Sequence, residues 1–99
     1  MEITLLYFDG CPNWRHTDQD LRRLIAAGAV QADLRHLRVE TPEDAERLGF
    51  RGSPTVVVDG RDPFATGDEP VGLACRVYQT DHGPRGRPTF DQVRHVLLG

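Results

Sequence analysis

The fold is decided by the first segment of the chain, which reads Ile-Thr-Leu-Leu-Tyr-Phe-Asp-Gly-Cys-Pro-Asn-Trp from Ile3 to Trp14. Residues 3–8 form a short apolar run with β-branched and aromatic side chains, which is typical of a buried strand. Asp9-Gly10 ends this run with turn residues. Beyond Cys11 the apolar residues recur at helical spacing as far as Gly28. The segment therefore predicts a strand and a helix joined at a cysteine.

The rest of the chain predicts further strands and helices, without repeats or linkers. Strand-like runs of apolar and β-branched residues occur at three places, Asp33–Val39, Thr55–Val58 and Val71–Tyr78. Capping residues mark two helix starts, Thr41-Pro42 and Thr89–Gln92. Gln79–Pro88 is predicted to be an irregular loop. The order β-α-β-α-β-β-α predicts a single α/β domain over residues 1–99, a four-stranded mixed sheet flanked by helices.

Length and charge exclude several classes of protein. The 99 residues carry a net charge of −3, which argues against a nucleic-acid partner because such proteins show a basic stripe or patch. The longest nearly apolar run, Leu24–Val30, is far too short to span a bilayer, so no membrane partner is expected. The N-terminus carries an acid where a signal peptide would carry positive charge. We therefore expect a cytoplasmic protein, and the sequence leaves its oligomeric state open.

The two cysteines, Cys11 and Cys75, are too few for a disulfide scaffold of the small secreted kind. Neither has a second cysteine or a histidine at zinc-finger spacing, so no metal site is predicted, and no cofactor motif is present. In a reducing cytosol both cysteines are expected to be thiols at rest. Any chemistry is therefore expected to depend on the individual cysteines.

Two motifs resemble those of thioredoxin-fold proteins. Cys11-Pro12-Asn13-Trp14 follows the first strand directly, in the place of that family's C-x-x-C motif. Ser53-Pro54-Thr55 precedes the third strand directly, in the place of the family's cis-proline loop. The resemblance covers nearly the whole chain. It implies the sheet order second, first, third, fourth, and a cis peptide bond before Pro54.

In the resembled fold, Cys11 lies at the N-terminus of the first helix, where the helix dipole favours a thiolate. The resemblance therefore implies a reactive monothiol for thiol–disulfide exchange, with protein or small-molecule thiols and disulfides as partners. Pro54 would shape the adjacent surface, and Ser53, Thr55 and Trp14 would contact the substrate. The alternative is that Cys11 is a small residue that closes a strand-to-helix turn.

Trp14 is the main departure from the family, because it occupies the position of the resolving cysteine. A dithiol mechanism releases its mixed disulfide through a second thiol, and an indole cannot do this. Ordinary thioredoxin activity is therefore not expected, and Trp14 is interpreted as a packing residue. A monothiol oxidoreductase would need release by glutathione-like small thiols or by Cys75, so the sequence leaves open whether the chain is an enzyme.

Cys75 has two interpretations, a core residue or a functional partner of Cys11. It alternates with Val71, Leu73 and Val77, which favours a buried core thiol. In the resembled sheet its strand lies two positions from the first strand, about 9.6 Å away. A relaxed disulfide needs Cα atoms about 4.4–6.8 Å apart. A resting bridge between the two cysteines is therefore expected to need a rearrangement of the chain.

A second, shorter resemblance is to the organomercurial lyases. Gly72–Tyr78 resembles the second cysteine segment of that family, in which two thiolates bind mercury and an acid protonates the leaving carbon. Asp9 would have to supply the proton, because Trp14 stands where the lyases have an aspartate. A complete lyase is not expected, but the resemblance implies a soft-metal-binding alternative that uses Cys11 and Cys75. A third alternative is a non-catalytic interaction module with Val71–Tyr78 as a docking edge.

Overall fold

A computed structural model describes all 99 residues of the chain and contains a three-stranded sheet, a separate two-stranded hairpin and three helices. The elements in chain order are β1 (Glu2–Tyr7), α1 (Trp14–Ala26), β2 (Asp33–Arg38), α2 (Pro42–Leu48), β3 (Thr55–Val58), β4 (Tyr78–Thr80), β5 (Gly83–Arg85) and α3 (Phe90–Leu98). None of the three helices has the length and apolar character needed to cross a membrane.

β1 is the central strand of the larger sheet, whose order is β2-β1-β3. It pairs in parallel with β2, which it reaches through the crossover helix α1, and antiparallel with β3. Leu6 of β1 lies opposite Thr55, the first residue of β3. The end of β1 and the start of β3 are therefore neighbours, and the two loops that adjoin them meet at the same end of the sheet.

Apolar side chains cover both faces of this sheet. Successive side chains of a strand point to opposite faces, so the consecutive residues Leu5 and Leu6 of β1 lie on different sides. On one face, buried side chains of β1 and β3 pack against buried side chains of α1 and α3. The strands contribute Ile3, Leu5 and Val56, and the helices contribute Leu21, Leu24, Val93 and Leu97. On the other face the buried cluster consists of Leu6, Val39, Ala45 and Phe50. Burial of these side chains supplies the main favourable term for folding of the sheet and the helices packed on it.

The expected four-stranded sheet is wrong. Only Tyr78 of the expected fourth strand, Val71–Tyr78, lies in a strand, and β4 pairs with β5 rather than with β3. Some backbone groups of β3 are already hydrogen-bonded within the chain, because the N–H and the carbonyl of Val58 both pair with Arg61 across a tight turn. Residues 71–77 therefore follow an irregular path, and the expected loop Gln79–Pro88 contains most of the β4–β5 hairpin, which begins at Tyr78.

Arg76 anchors this irregular segment through buried ionic contacts. Its side chain is 2% exposed, with Nη1 2.7 Å from Asp62 and Nη2 3.4 Å from Glu69. Its guanidinium also lies over the ring of Tyr78. The pKa of Glu69 is lowered to about 2, mainly because its carboxylate accepts a hydrogen bond from the backbone N–H of Thr66. The positive charge of Arg76 lowers this pKa further. The segment is thus held by paired charges in addition to the packing of Leu73 on the second apolar cluster, whereas the sheet is held by apolar packing.

Candidate functional site

Cys11 and Cys75 are joined by a disulfide, with their Cα atoms 5.7 Å apart. The expectation that both are thiols at rest, separated by two strand spacings, is therefore wrong for this state of the protein. The expected core position of Cys75 is also wrong. Cys75 is exposed, whereas Cys11 is completely buried. The bridge thus joins a sulfur at the end of the sheet to one on the irregular segment.

Backbone pairing with the loop before β3 explains how Cys75 reaches Cys11. The Ser53 N–H donates to the carbonyl of Ala74 at 2.8 Å, and the Arg76 N–H donates to the carbonyl of Ser53 at 3.0 Å. Cys75 is therefore paired with Ser53 in a parallel bridge. Since this loop adjoins the end of β1, the pairing places Cys75 beside Cys11.

Gly52 permits this pairing. Its φ is +105°, a conformation that residues with a Cβ rarely adopt. A Cβ at this position would lie 2.9 Å from the Cβ of Arg76 and 3.1 Å from the carbonyl oxygen of Ala74. Any larger residue would push residues 74–76 away from the loop. The sequence signal for this contact is only a glycine before Ser53-Pro54, so sequence reasoning missed it.

The Ser53–Pro54 peptide bond is cis, as the sequence predicts. The loop is fixed on both sides of this bond, because the Thr55 hydroxyl donates to the carbonyl of Gly52 at 2.6 Å and the Tyr78 hydroxyl donates to the carbonyl of Pro54. Burial raises the pKa of Tyr78, so its hydroxyl remains a donor. The loop is therefore a fixed support for the disulfide.

The three loop residues expected to serve the substrate, Ser53, Pro54 and Thr55, are all buried. The backbone N–H and carbonyl of Ser53 are also occupied, because they are paired with residues 74 and 76. The chain's own Cys75 segment thus occupies the place expected for a substrate. The Ser53 hydroxyl is buried and has no hydrogen-bond partner.

Trp14 is the first residue of α1 and lies half-buried between that helix and β1. Its ring stacks on Tyr7, with ring centroids 4.1 Å apart, and it packs against the main apolar cluster. These contacts support the interpretation of Trp14 as a packing residue. The guanidinium of Arg15 lies 5.0 Å from the indole centroid.

Asn13 contacts the buried sulfur and was missed by sequence reasoning. It is the N-cap residue of α1, but its side chain makes no capping hydrogen bond. Instead its Nδ2 lies 3.8 Å from the Cys11 sulfur. The carbonyl oxygen of Ser53 lies 3.7 Å from the same sulfur. Cys11 is therefore enclosed by an amide donor and a carbonyl acceptor, close to the positive end of α1.

The β4–β5 hairpin closes onto Asn13. A Cβ at Gly86 would lie 2.3 Å from the Asn13 amide nitrogen, so the absence of a side chain at Gly86 leaves room for the amide. Between the hairpin, Asn13 and the start of α3 lies a cleft of about 360 Å³, and Arg85 and Arg87 are among its lining residues. No acidic side chain lines this cleft.

Asp9, the proton donor that a lyase mechanism would need, is paired with Arg38. It is exposed, and its carboxylate lies 3.1 Å from the guanidinium of Arg38. No group of three or more His, Cys, Asp or Glu side chains is arranged to hold a metal ion.

Comparison with known proteins found no matching family model, no matching curated protein and no matching solved structure.

Proposed function

We propose that this protein carries out thiol–disulfide exchange with Cys11 and Cys75 as its redox couple. The observation that supports the proposal is a disulfide between a buried and an exposed cysteine, because a disulfide with one solvent-exposed cysteine is open to attack by thiolates on that side. In one cycle two substrate thiols lose two electrons and two protons and become a disulfide. The protein disulfide takes them up and becomes two thiols, and the reverse cycle reduces a substrate disulfide.

The surroundings of Cys11 suit both protonation states of the reduced protein. The Asn13 amide can donate to a Cys11 thiolate, and the positive end of α1 also stabilises negative charge there. The Ser53 carbonyl can accept a hydrogen bond from the neutral thiol. The site can therefore hold the proton that enters or leaves during exchange.

Cys75 supplies the second thiol that Trp14 cannot. A mixed disulfide on either cysteine of the couple can be resolved by the other, since their Cα atoms are 5.7 Å apart. The couple then works as a dithiol from residues far apart in the sequence. Cys11 in the loop between β1 and α1 and the cis-proline loop before β3 support a kinship with thioredoxin-like proteins, which is part of the proposal.

We place the protein in the cytoplasm, with protein or small-molecule thiols and disulfides as its partners. Disulfides of cytosolic proteins are usually catalytic or redox-sensing, because the thiol pool reduces the others. A redox-active couple fits this compartment better than a structural bridge does.

The test is catalysis of exchange between reduced glutathione and 2-hydroxyethyl disulfide. We expect the wild-type protein to accelerate the reaction at least tenfold over a Cys11→Ser/Cys75→Ser double variant, which is the matched control. A wild-type rate equal to that of the double variant would contradict the proposal. Partner binding that the double variant retained in full would then favour the interaction module.

A second candidate, soft-metal binding, is favoured by the same cysteine pair once reduced. Two thiolates at this separation can bind a two-coordinate soft ion such as Hg²⁺ or Cu⁺. Reduced wild-type protein would then bind one mercuric ion per chain, and either single Cys→Ser change would abolish binding. Binding that persisted in Cys75→Ser would exclude this candidate. Lyase chemistry is not proposed, because the Asp9 carboxylate is paired with Arg38.

A further inference from the structure

We infer that Cys75 is the sulfur that an incoming thiolate attacks, and that Cys11 is the leaving group. The inference rests on the proposed exchange reaction and assigns the order of its steps. It reverses the roles that the position of Cys11 at the start of a helix had suggested, because the exposed cysteine comes from the irregular segment.

Access is the first argument. The residue Cys11 is 0% exposed, and the Ser53 carbonyl and the Asn13 amide lie against its sulfur. A thiolate that approached Cys11 would have to displace one of these groups. Cys75 is exposed, and so are its neighbours Ala74 and Val77. The rate of exchange depends on which sulfur can be reached, so attack at Cys75 is favoured.

Stabilisation of the leaving group is the second argument. Attack at Cys75 places the electron pair of the broken bond on the Cys11 sulfur. There the Asn13 amide and the N-terminal end of α1 stabilise the thiolate as it forms. Attack at Cys11 would instead expel Cys75 from a position without these contacts. A better stabilised leaving thiolate departs faster, so access and stabilisation favour the same sulfur.

The complete reaction balances with a small monothiol as reductant. The first thiolate forms a bond to the Cys75 sulfur as the bond between Cys11 and Cys75 breaks. A second thiolate then attacks the substrate sulfur of this mixed disulfide and expels Cys75 as a thiolate. The products are one small-molecule disulfide and the reduced protein, whose two thiolates take up protons from solvent. In the opposite direction, Cys75 attacks a substrate disulfide and Cys11 resolves the mixed disulfide.

Single-cysteine variants test the assignment. Cys11→Ser and Cys75→Ser would each be reacted with 5,5′-dithiobis(2-nitrobenzoic acid), first folded and then in denaturant. We expect the Cys75 thiol to react at least tenfold faster than the Cys11 thiol in the folded proteins. In denaturant the two rates should agree within about twofold, because the folded environment is lost. Equal folded rates, or a faster Cys11, would overturn the inference.

The wild-type protein provides a test that needs no substitution. Oxidised protein would be mixed with 2-mercaptoethanol, quenched with acid within the first seconds and blocked with a maleimide. Trypsin cleaves after arginine, so Cys11 appears in the peptide Met1–Arg15 and Cys75 in Asp62–Arg76. We expect the adduct on Asp62–Arg76. An adduct on Met1–Arg15 would overturn this inference and leave exchange intact, whereas no adduct on the folded protein would contradict both.

Discussion

Residues 1–58 and residues 59–77 are held in place by different forces. The first region contains the three-stranded sheet, and most of its buried side chains are apolar. The second contains no helix or strand, and its most buried side chain is a charged one, Arg76, paired with Asp62 and Glu69. The proposed site lies where these regions meet, with Cys11 on the first and Cys75 on the second.

From this difference we expect the position of Cys75 to change more readily than the fold of the sheet. Apolar packing in the first region does not depend on protonation or on redox state. The second region is attached to the first by backbone pairing at Ser53, by packing of Leu73 on the second apolar cluster and by the disulfide itself, while ion pairs within the region fix the path of its chain. Changes that act on these attachments should therefore affect the position of Cys75 first.

Arg76→Met should have the largest effect. It leaves Asp62 and Glu69 largely buried without their cation, and breaking a buried ion pair in this way costs about 3–5 kcal/mol. Urea denaturation would measure the loss in the free energy of unfolding. Arg61→Met is the matched control, because Arg61 is exposed and forms no ion pair. Equal stability of the two variants would show that paired charges do not anchor the second region.

Reduction of the disulfide should have the second-largest effect on the free energy of unfolding. The bridge closes a loop over a sequence separation of 64 residues, and such cross-links typically contribute about 2–4 kcal/mol. We expect hydrogen exchange to accelerate for the amides of Ser53 and Arg76 and to change little for those of β1. Uniform acceleration across both regions would contradict their separate attachment.

Gly52→Ala should lower the free energy of unfolding by a smaller amount, because it strains the backbone at one residue and displaces the adjacent segment locally. The new methyl group meets Arg76 at 2.9 Å, and the strained backbone costs about 1–3 kcal/mol. Gly60→Ala is the control, since its φ of +83° carries similar strain but no atom lies within 4 Å. Disulfide formation should be slower in Gly52→Ala than in Gly60→Ala. Equal rates would mean that the close approach at Gly52 does not position Cys75.

The smallest expected effect is a dependence on acid. The pKa of Glu69 is lowered to about 2, first by the Thr66 backbone N–H. A carboxyl group with a lowered pKa binds fewer protons folded than unfolded, so its contribution is complete above about pH 4.5 and is lost as pH falls toward 2. The free energy of unfolding should therefore decline over this interval. Glu69→Gln should flatten the decline, and an unchanged slope would contradict the role of Glu69.

Signals that act over a few residues explain what the sequence could predict. Local signals gave α2 and α3 correctly: Thr41 caps α2 through the Asp44 N–H, and Thr89 and Gln92 form the capping box of α3. These signals act within three or four residues. The cis bond before Pro54 was also predicted, from the resemblance of its loop.

The fourth strand and the state of the cysteines could not be predicted from local pattern. The alternation of Val71, Leu73, Cys75 and Val77 indicates one buried face, yet Val77 is 61% exposed and Arg76 is buried. Arg76 becomes buried because Asp62 and Glu69, 14 and 7 residues away, neutralise it. The pairing of Cys11 with Cys75 depends in turn on a space beside Gly52 that exists only in the folded chain.

The central claim is that the Cys11–Cys75 bridge is a working redox couple, and its reduction potential tests this most directly. Wild-type protein would be equilibrated with glutathione buffers of graded poise, and its free thiols counted by alkylation and mass. We expect both cysteines to titrate together in the folded protein, with a midpoint above about −300 mV. A midpoint below that value, or reduction that occurs only on unfolding, would identify the bridge as structural and contradict the account.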